Sequence, residues 1–198
     1  HCEDGSVQGY LETMGIPYAG SDVIGAALGQ DKIFMKMAFA YHDLPMVPWL
    51  YFDVKAYGDD KAKQLKKITE LGYPVVVKPA RVGSSVGISF VNAEDEIEEA
   101  ITTALQYDMR VIIEKAVQNL REVNCSVLGD ELDAKASVLE EVMKYDAILS
   151  YKDKYQGSNK SKGMASTSRI CPAELDKDTT KKIQDLALES FKVLACAG

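Results

Sequence analysis

The sequence has no apolar run that approaches the roughly 20 residues a helix needs to cross a bilayer, which excludes an integral membrane protein. We also expect no secretory signal peptide, because the first residues of the given sequence are polar and acidic. Excess positive charge is also missing, since 23 Lys and Arg stand against 30 Asp and Glu for a net charge of −7. Binding to nucleic-acid phosphates depends on clustered Lys and Arg. We therefore expect no nucleic-acid partner and no membrane partner.

Cysteine and histidine are scarce. Four cysteines stand at positions 2, 125, 171 and 196, with no Cys-x-x-Cys pair and no histidine spaced for a zinc knuckle. Cysteines in even number are compatible with disulfides, but wide spacing in an acidic chain favours free thiols in a reducing compartment. We therefore expect a cytoplasmic location.

The sequence does contain the material of a globular core, with 46% apolar and 27% charged residues among 198. Apolar residues recur at helical spacing in some segments and in short β-branched runs in others. Helices are predicted to begin near Val7, Ser21, Asp31, Asp59 or Asp60, Asn92 and Asp176. Strands are predicted at 49–52, 74–78, 88–91, 111–114, 122–128 and 134–142, and a long polar loop at 151–168. The pattern predicts an α/β fold of mixed sheets and helices.

Both ends of the chain are abrupt. A predicted helix begins within the first residues, and the amphipathic helix that starts at Asp176 runs almost to the last one. A helix of this kind needs a surface to pack on. We therefore expect this chain to be a fragment, an engineered chain or a partly recorded one.

The segment from Val75 to Ser89 suggests an anion site. A strand delivers Lys78, and Gly83, Ser84, Ser85 and Gly87 follow in a turn where backbone N–H groups and hydroxyls donate hydrogen bonds to an anion. The order of residues is not that of a Walker loop. A flexible hairpin with a surface lysine is the alternative.

Two further segments suggest nucleotide contacts. The strand that ends in Glu114-Lys115 is suited to present its backbone to an adenine edge, with Glu122 near a ribose; the alternative is an edge strand with a solvated ion pair. At 151–155, Lys154 is suited to reach a phosphate and Tyr155 to bond across a closed site. A charged loop without function is the alternative there.

The order of these motifs resembles that of the D-alanine–D-alanine ligases of the ATP-grasp superfamily, including their D-alanine–D-serine relatives. The resemblance covers essentially the whole chain. The matching stretches are Glu3-Asp-Gly-Ser-Val-Gln-Gly9, Gly15-Ile-Pro-Tyr-Ala-Gly-Ser21, Gln30-Asp-Lys32, Lys78-Pro-Ala-Arg-Val-Gly-Ser-Ser-Val-Gly87, Arg121-Glu-Val-Asn-Cys-Ser-Val-Leu-Gly129, Lys154-Tyr155 and Ile170-Cys-Pro-Ala173. Gly163-Met-Ala-Ser166 is similar to a loop variant of the serine-type ligases.

The resemblance implies an α/β ATP-grasp fold, here incomplete, with two subdomains that clasp ATP. Its implied boundaries are the end of a substrate domain at 1–30, a central subdomain at 31–116 and a further subdomain from 117 to 198. It also implies ATP with Mg²⁺ or Mn²⁺ as cofactors, D-alanine as substrate, a homodimer, and a role in peptidoglycan synthesis.

The resemblance also implies roles for individual residues. The implied catalytic residues are Ser84 and Tyr155. ATP is implied to contact Lys32, Lys78, Ser85, Glu114, Lys115, Val117, Glu122 and Lys154. The first D-alanine is implied to lie near His1 and Glu3, together with Ser84 and Tyr155.

The sequence departs from the family pattern in ways that keep alternatives open. The family's substrate-binding Glu near the N-terminus has no match here, nor do the C-terminal Arg and Asp or the Glu and Asn that bind Mg²⁺. One alternative is therefore a nucleotide-binding module with little ligase turnover of its own. A D-alanine–D-serine ligase is a second alternative, and another ATP-grasp carboxylate–amine ligase is a third.

Overall fold

A computed structural model of the protein describes residues 3–143 and 168–198, which form two units. One unit contains residues 3–46, 121–143 and 168–198, and the other contains residues 47–120. The domain boundaries implied by the resemblance, at 30/31 and 116/117, stay a prediction.

The described elements alternate between helices and strands. The helices are α1 (Ser6–Thr13), α2 (Val23–Gln30), α3 (Lys32–Tyr41), α4 (Val54–Asp59), α5 (Lys61–Leu71), α6 (Ile97–Leu105) and α7 (Lys177–Val193). The strands are β1 (Trp49–Asp53), β2 (Val75–Pro79), β3 (Ser89–Val91), β4 (Arg110–Lys115), β5 (Glu122–Gly129), β6 (Ala134–Met143) and β7 (Ser168–Ile170). Every strand predicted from the sequence is present, whereas helix α4 and strand β7 were not predicted.

Aspartate side chains begin most of the helices. Asp31 accepts hydrogen bonds from the backbone N–H groups of Ile33 and Phe34 at 3.1 and 3.2 Å. Asp60 and Asp176 make the same kind of contact at the start of α5 and α7. These bonds satisfy N–H groups that have no partner within the helix. The predicted starts at Asp31, Asp60 and Asp176 are thereby confirmed, and α2 is capped by Asp22, one residue after Ser21.

The predicted cap at Asn92 is wrong. A short 3₁₀ helix, Glu94–Glu96, precedes α6, and no side chain caps either of them. The contact runs in the opposite direction, because the backbone N–H of Asn92 donates to Glu96 Oε2 at 2.9 Å. The acidic first turn favoured by the helix dipole is nevertheless present.

The unit of residues 47–120 is built on an antiparallel sheet with the strand order β1-β4-β2-β3. One face of the sheet packs against α5 and α6. The buried core on this face consists of Phe52, Ile68, Val75, Val77, Val91, Ile97, Ala100, Ile101, Ala104, Val111 and Ile113. Strand residues alternate between the two faces of a sheet, so the residues between these core positions belong to the second face.

The other unit contains an antiparallel sheet in the order β5-β6-β7. Helix α7 packs on it, and Gln184 Nε2 donates to the backbone oxygen of Ser137 at 2.9 Å. Gly129 at the end of β5 exchanges two backbone hydrogen bonds with Gly198, at 2.7 and 3.0 Å. These contacts hold α7 on the sheet and attach the end of β5 to the last residue of the chain.

The cysteines of the described residues, Cys125, Cys171 and Cys196, are free thiols, as predicted. In the described part of the chain, the helices are too short or too polar to cross a membrane.

Candidate functional site

Lys78 and Glu114 lie together on the second face of the four-stranded sheet. The register pairs Val76 with Glu114 and Lys78 with Ile112, so all four side chains project from that face. Trp49 of β1 lies opposite Glu114 on its other side. Strand β4 therefore has a neighbour on each side, and the alternative of an edge strand is wrong.

The Lys78 ammonium forms an ion pair with Glu114 Oε2. The side chains are only 26% and 11% exposed, respectively, so water screens the pair weakly. The alternative of a solvated surface lysine is thereby contradicted. The solvated ion pair of the alternative is also contradicted, since Glu114 contacts the part-buried Lys78 across the sheet. In such a pair the ammonium is suited to bind an anion, and the carboxylate is suited to accept a hydrogen bond from a donor.

Lys115 points in the opposite direction from Glu114. It pairs in the register with the core residue Val75, and its ammonium donates to the backbone oxygens of Gly72 and Tyr73 at 2.9 and 2.7 Å. These carbonyls lie at the end of α5, where a cation also interacts favourably with the helix dipole. The side chain thus has a structural role, and the predicted nucleotide contact at Lys115 stays a prediction for its backbone.

The backbone after β4 is partly committed to protein contacts. The N–H of Lys115 donates to Pro48 O at 2.9 Å, and the N–H of Ala116 donates to Pro74 O at 3.0 Å. Val117 follows and is 53% exposed. The predicted adenine-binding stretch is therefore held at residues 115 and 116 and exposed at 117.

The serine–glycine loop, which we define as residues 80–88, follows β2 directly. Ser84 and Ser85 have φ angles of 53° and 60°, a left-handed conformation that costs free energy in residues other than glycine. Gly87 also has a positive φ, and a Cβ there would lie 2.6 Å from Tyr107 Cδ2. Two adjacent strained residues between fixed points are typical of a ligand-binding loop.

An arginine–carboxylate pair that was not predicted from the sequence lies at the base of this loop. Arg81 Nε and Nη2 donate to the two oxygens of Asp108, each at 3.0 Å. Burial raises the pKa of Asp108, but the hydrogen bonds from Arg81 and from the Arg110 N–H outweigh it and hold the pKa below its usual value. The available signal was Arg81 itself, which stands within the motif that begins at Lys78.

The other unit contains further predicted residues. Lys32 is the first residue of α3, Glu122 is the first residue of β5, and Glu3 lies exposed before α1. The remaining predicted residues, His1, Lys154 and Tyr155, lie outside the described residues. The structure brings Lys78, Glu114 and the serine–glycine loop into one unit and Lys32, Glu122 and Glu3 into the other.

An arginine–glutamate pair stabilises the residue next to Glu122. Arg121 Nε and Nη2 donate to the two carboxylate oxygens of Glu141, both at 2.7 Å, and Nη2 also reaches Glu174 O at 3.4 Å. The hydrogen bond from Arg121, together with its charge, lowers the pKa of Glu141 against the opposing effect of burial. This bidentate contact fixes the start of β5 against β6.

The lowered pKa of Glu141 predicts a pH-dependent contribution to stability. Because the folded pKa lies below the unfolded value of 4.5, the contribution is fully present above pH 4.5 and is lost as the pH falls through the folded pKa. Chemical unfolding of wild type and Glu141→Gln should therefore differ at pH 7 and converge towards pH 3. A difference that stays constant over this range would contradict the assignment.

Among residues 3–143 and 168–198, no group of three or more His, Cys, Asp or Glu side chains converges to hold a metal ion. The described residues alone therefore do not complete a metal site.

Comparison with known proteins identifies relatives along the whole chain. A family model described as D-ala D-ala ligase C-terminus matches residues 38–198. A D-alanine–D-alanine ligase from Acetivibrio thermocellus is 40% identical over 198 residues, which covers 99% of this chain and 50% of the relative. One from Thermosipho africanus is 37% identical over 196 residues, covering 99% of this chain and 51% of the relative. The chain thus spans about half the length of the curated relatives it matches.

Solved structures give the same result. The VanG D-Ala:D-Ser ligase from Enterococcus faecalis matches with a TM-score of 0.82 at 28% identity, covering 99% of this chain and 54% of that one. The D-alanine–D-alanine ligase from Coxiella burnetii matches with a TM-score of 0.77 at 27% identity, covering 99% and 49%.

Proposed function

The chain belongs to the D-alanine–D-alanine ligase family of ATP-grasp enzymes, and on this premise we propose that the protein carrying it joins two D-alanines with ATP. The products are D-alanyl-D-alanine, ADP and phosphate. The observation that carries the proposal is the Lys78–Glu114 pair on the second face of the sheet, beside the serine–glycine loop. We further propose a cytoplasmic enzyme of peptidoglycan synthesis that works as a homodimer.

The proposed first step is transfer of the γ-phosphoryl group of ATP to a D-alanine carboxylate. A carboxylate is a poor electrophile, and the acyl phosphate formed in this step has a good leaving group. Lys78 and Lys32 offset charge on the phosphates, and Ser84 and Ser85 supply hydrogen-bond donors. Lys154, which lies outside the described residues, is proposed to assist at the γ-phosphate.

The nucleoside is proposed to bind beside the phosphates. Glu114, already fixed by Lys78, accepts a hydrogen bond from the adenine amino group, while the backbone of Lys115 and Val117 pairs with the adenine edge. Glu122 is proposed to bind the ribose hydroxyls. Because the Lys115 and Ala116 N–H groups already donate to Pro48 and Pro74, the pairing is proposed for the backbone oxygen of Lys115 and the backbone of Val117.

In the proposed second step, the amine of a second D-alanine attacks the acyl phosphate carbon, and phosphate leaves from a tetrahedral intermediate. Ser84 and Tyr155 are proposed to orient the substrates, with His1 and Glu3 near the first D-alanine. The family's use of ATP with Mg²⁺ or Mn²⁺ carries over as a proposal for the intact protein.

The test is a coupled assay of ADP and phosphate release by the intact gene product that carries these residues. With ATP, Mg²⁺ and D-alanine, we expect one ADP and one phosphate per dipeptide, identified by mass spectrometry. L-alanine serves as the matched control and should support no dipeptide formation. Turnover with D-lactate alone as the second substrate would contradict the proposal.

A D-alanine–D-serine ligase is a second candidate. The similarity to the VanG D-Ala:D-Ser ligase, with a TM-score of 0.82, favours it. The same assay decides between the two when D-alanine and D-serine are supplied together. A kcat/KM for D-serine above that for D-alanine at the second position would favour the serine ligase.

A further inference from the structure

Asp108 is a buried carboxylate whose two oxygens together accept four hydrogen bonds. The donors are the Arg81 N–H at 2.9 Å, Arg81 Nε and Nη2 at 3.0 Å, and the Arg110 N–H at 3.2 Å. Its side chain is 1% exposed. A buried carboxylate with this many donors is held in one position, and removal of its charge leaves those donors poorly paired.

These contacts attach the first residues of the serine–glycine loop to the start of β4. Arg81 is bound through both its backbone and its side chain, and the Ala80 N–H donates to Arg110 O at 3.0 Å. The chain that leaves β2 is therefore fixed before it reaches Ser84.

The far end of the loop is fixed at the same place. Gly87 packs against the ring of Tyr107, the residue before Asp108, so closely that a Cβ would meet the ring at 2.6 Å. Both ends of the loop thus rest on residues 107–110. Between them, Ser84 and Ser85 hold left-handed conformations that persist only when the surrounding structure imposes them.

We propose that Asp108 is a positioning residue that shapes the serine–glycine loop for the phosphate chain of the nucleotide, while the adenine-binding residues do not depend on it. The proposal rests on the proposed function, because it assigns the loop to ATP phosphates. A loop already held in its binding conformation loses less entropy when the ligand binds, so release of the anchor weakens phosphate binding selectively.

The test compares the affinities of the intact gene product for ATP and for adenosine, measured by calorimetry and by ligand-observed NMR. Asp108→Asn keeps the size of the side chain but replaces one acceptor with an amide donor that faces the donors of Arg81. We expect its affinity for ATP to fall about tenfold or more, with adenosine affinity unchanged within about twofold. If Asp108 only stabilised the fold as a whole, the substitution would lower the affinities for ATP and adenosine together.

Asp130→Asn is the matched control. Asp130 also accepts backbone N–H groups, those of Leu132 and Asp133 at 2.8 and 2.9 Å, but in the exposed turn between β5 and β6. Its substitution should leave both affinities unchanged. If Asp108→Asn does not fold, the affinities for ATP and adenosine are measured for Arg81→Lys instead. This variant keeps the positive charge but loses the bidentate contact with Asp108.

The outcomes separate the two proposals. Equal loss of ATP and adenosine affinity, or no loss of either, overturns the role of Asp108. A wild-type protein that binds ATP no better than adenosine refutes the phosphate-binding role of the loop, and with it the proposed function. Selective loss of ATP affinity in the Asp108 or Arg81 variant supports both.

Discussion

Replacement of Lys78 by methionine is expected to lower ATP-dependent phosphate release by about 100-fold or more. An effect of this size on the rate is typical when an enzyme loses one preorganised cation or hydrogen-bond donor that faces the charge developing in the transition state. Methionine keeps most of the length of the lysine stem, so the main change is loss of the ammonium. The measurement is the steady-state rate of phosphate release by the intact gene product with saturating ATP and D-alanine.

This variant also leaves Glu114 without its ammonium, and that side effect requires a control. Glu114→Gln removes the ion pair from the other side while Lys78 remains. If Lys78 acts on the phosphates and Glu114 on the base, the glutamine variant should lose ATP affinity but retain more of the rate at saturating ATP. Lys78→Met should lose the rate itself. If both variants lost ATP affinity alone, or the rate alone, to the same extent, only the structural role of the Lys78–Glu114 pair would matter.

Lys61 provides the matched lysine control. It pairs with Glu98 in the same unit, but the two side chains are 48% and 53% exposed. Water screens an exposed ion pair strongly, so such a pair contributes little to stability. Lys61→Met should therefore leave turnover and unfolding unchanged. A Lys78→Met protein that keeps a rate within about threefold of wild type would contradict the phosphate role of Lys78.

Local signals in the sequence predicted much of the fold, and the α/β ATP-grasp class is confirmed. Asp31 and Asp60 begin α3 and α5 through bonds to N–H groups two or three residues away. Gly72 ends α5 with a φ of 80°. Caps and stops of this kind depend only on near neighbours, so one sequence is enough to find them.

The site pairings depend on distant neighbours and were not predictable in the same way. Lys78 meets Glu114 across 36 residues, and Arg81 meets Asp108 across 27. The strand order β1-β4-β2-β3 brings each pair together, and composition or spacing does not determine that order. Glu114 and Lys115 are adjacent in the sequence but project to opposite faces of the sheet, so they have different partners.

Helix α6 covers the core face of this sheet, and Ile101→Ala is expected to be the most destabilising of the substitutions considered. Ile101 is fully buried among Val75, Val77 and Ile113 of the core. Truncation of such a residue removes apolar burial and leaves a cavity, at a cost of about 2–5 kcal/mol. Amide hydrogen exchange of β4 should therefore accelerate by roughly 30-fold or more, if exchange follows opening of this unit.

Ile24→Ala in α2 separates loss of packing from a change in helix propensity. Ile24 is also in a helix, but this residue is 61% exposed. Both substitutions gain the same intrinsic propensity, and only Ile101 loses buried surface. The control should change stability by no more than about 0.5 kcal/mol. We expect exchange in β4 to be faster in Ile101→Ala and unchanged in Ile24→Ala. This result would show that the second face of the sheet, with the Lys78–Glu114 pair, depends on the packing of α6. Equal exchange rates in both variants would mean that α6 does not support the sheet on which the proposed ATP site is built.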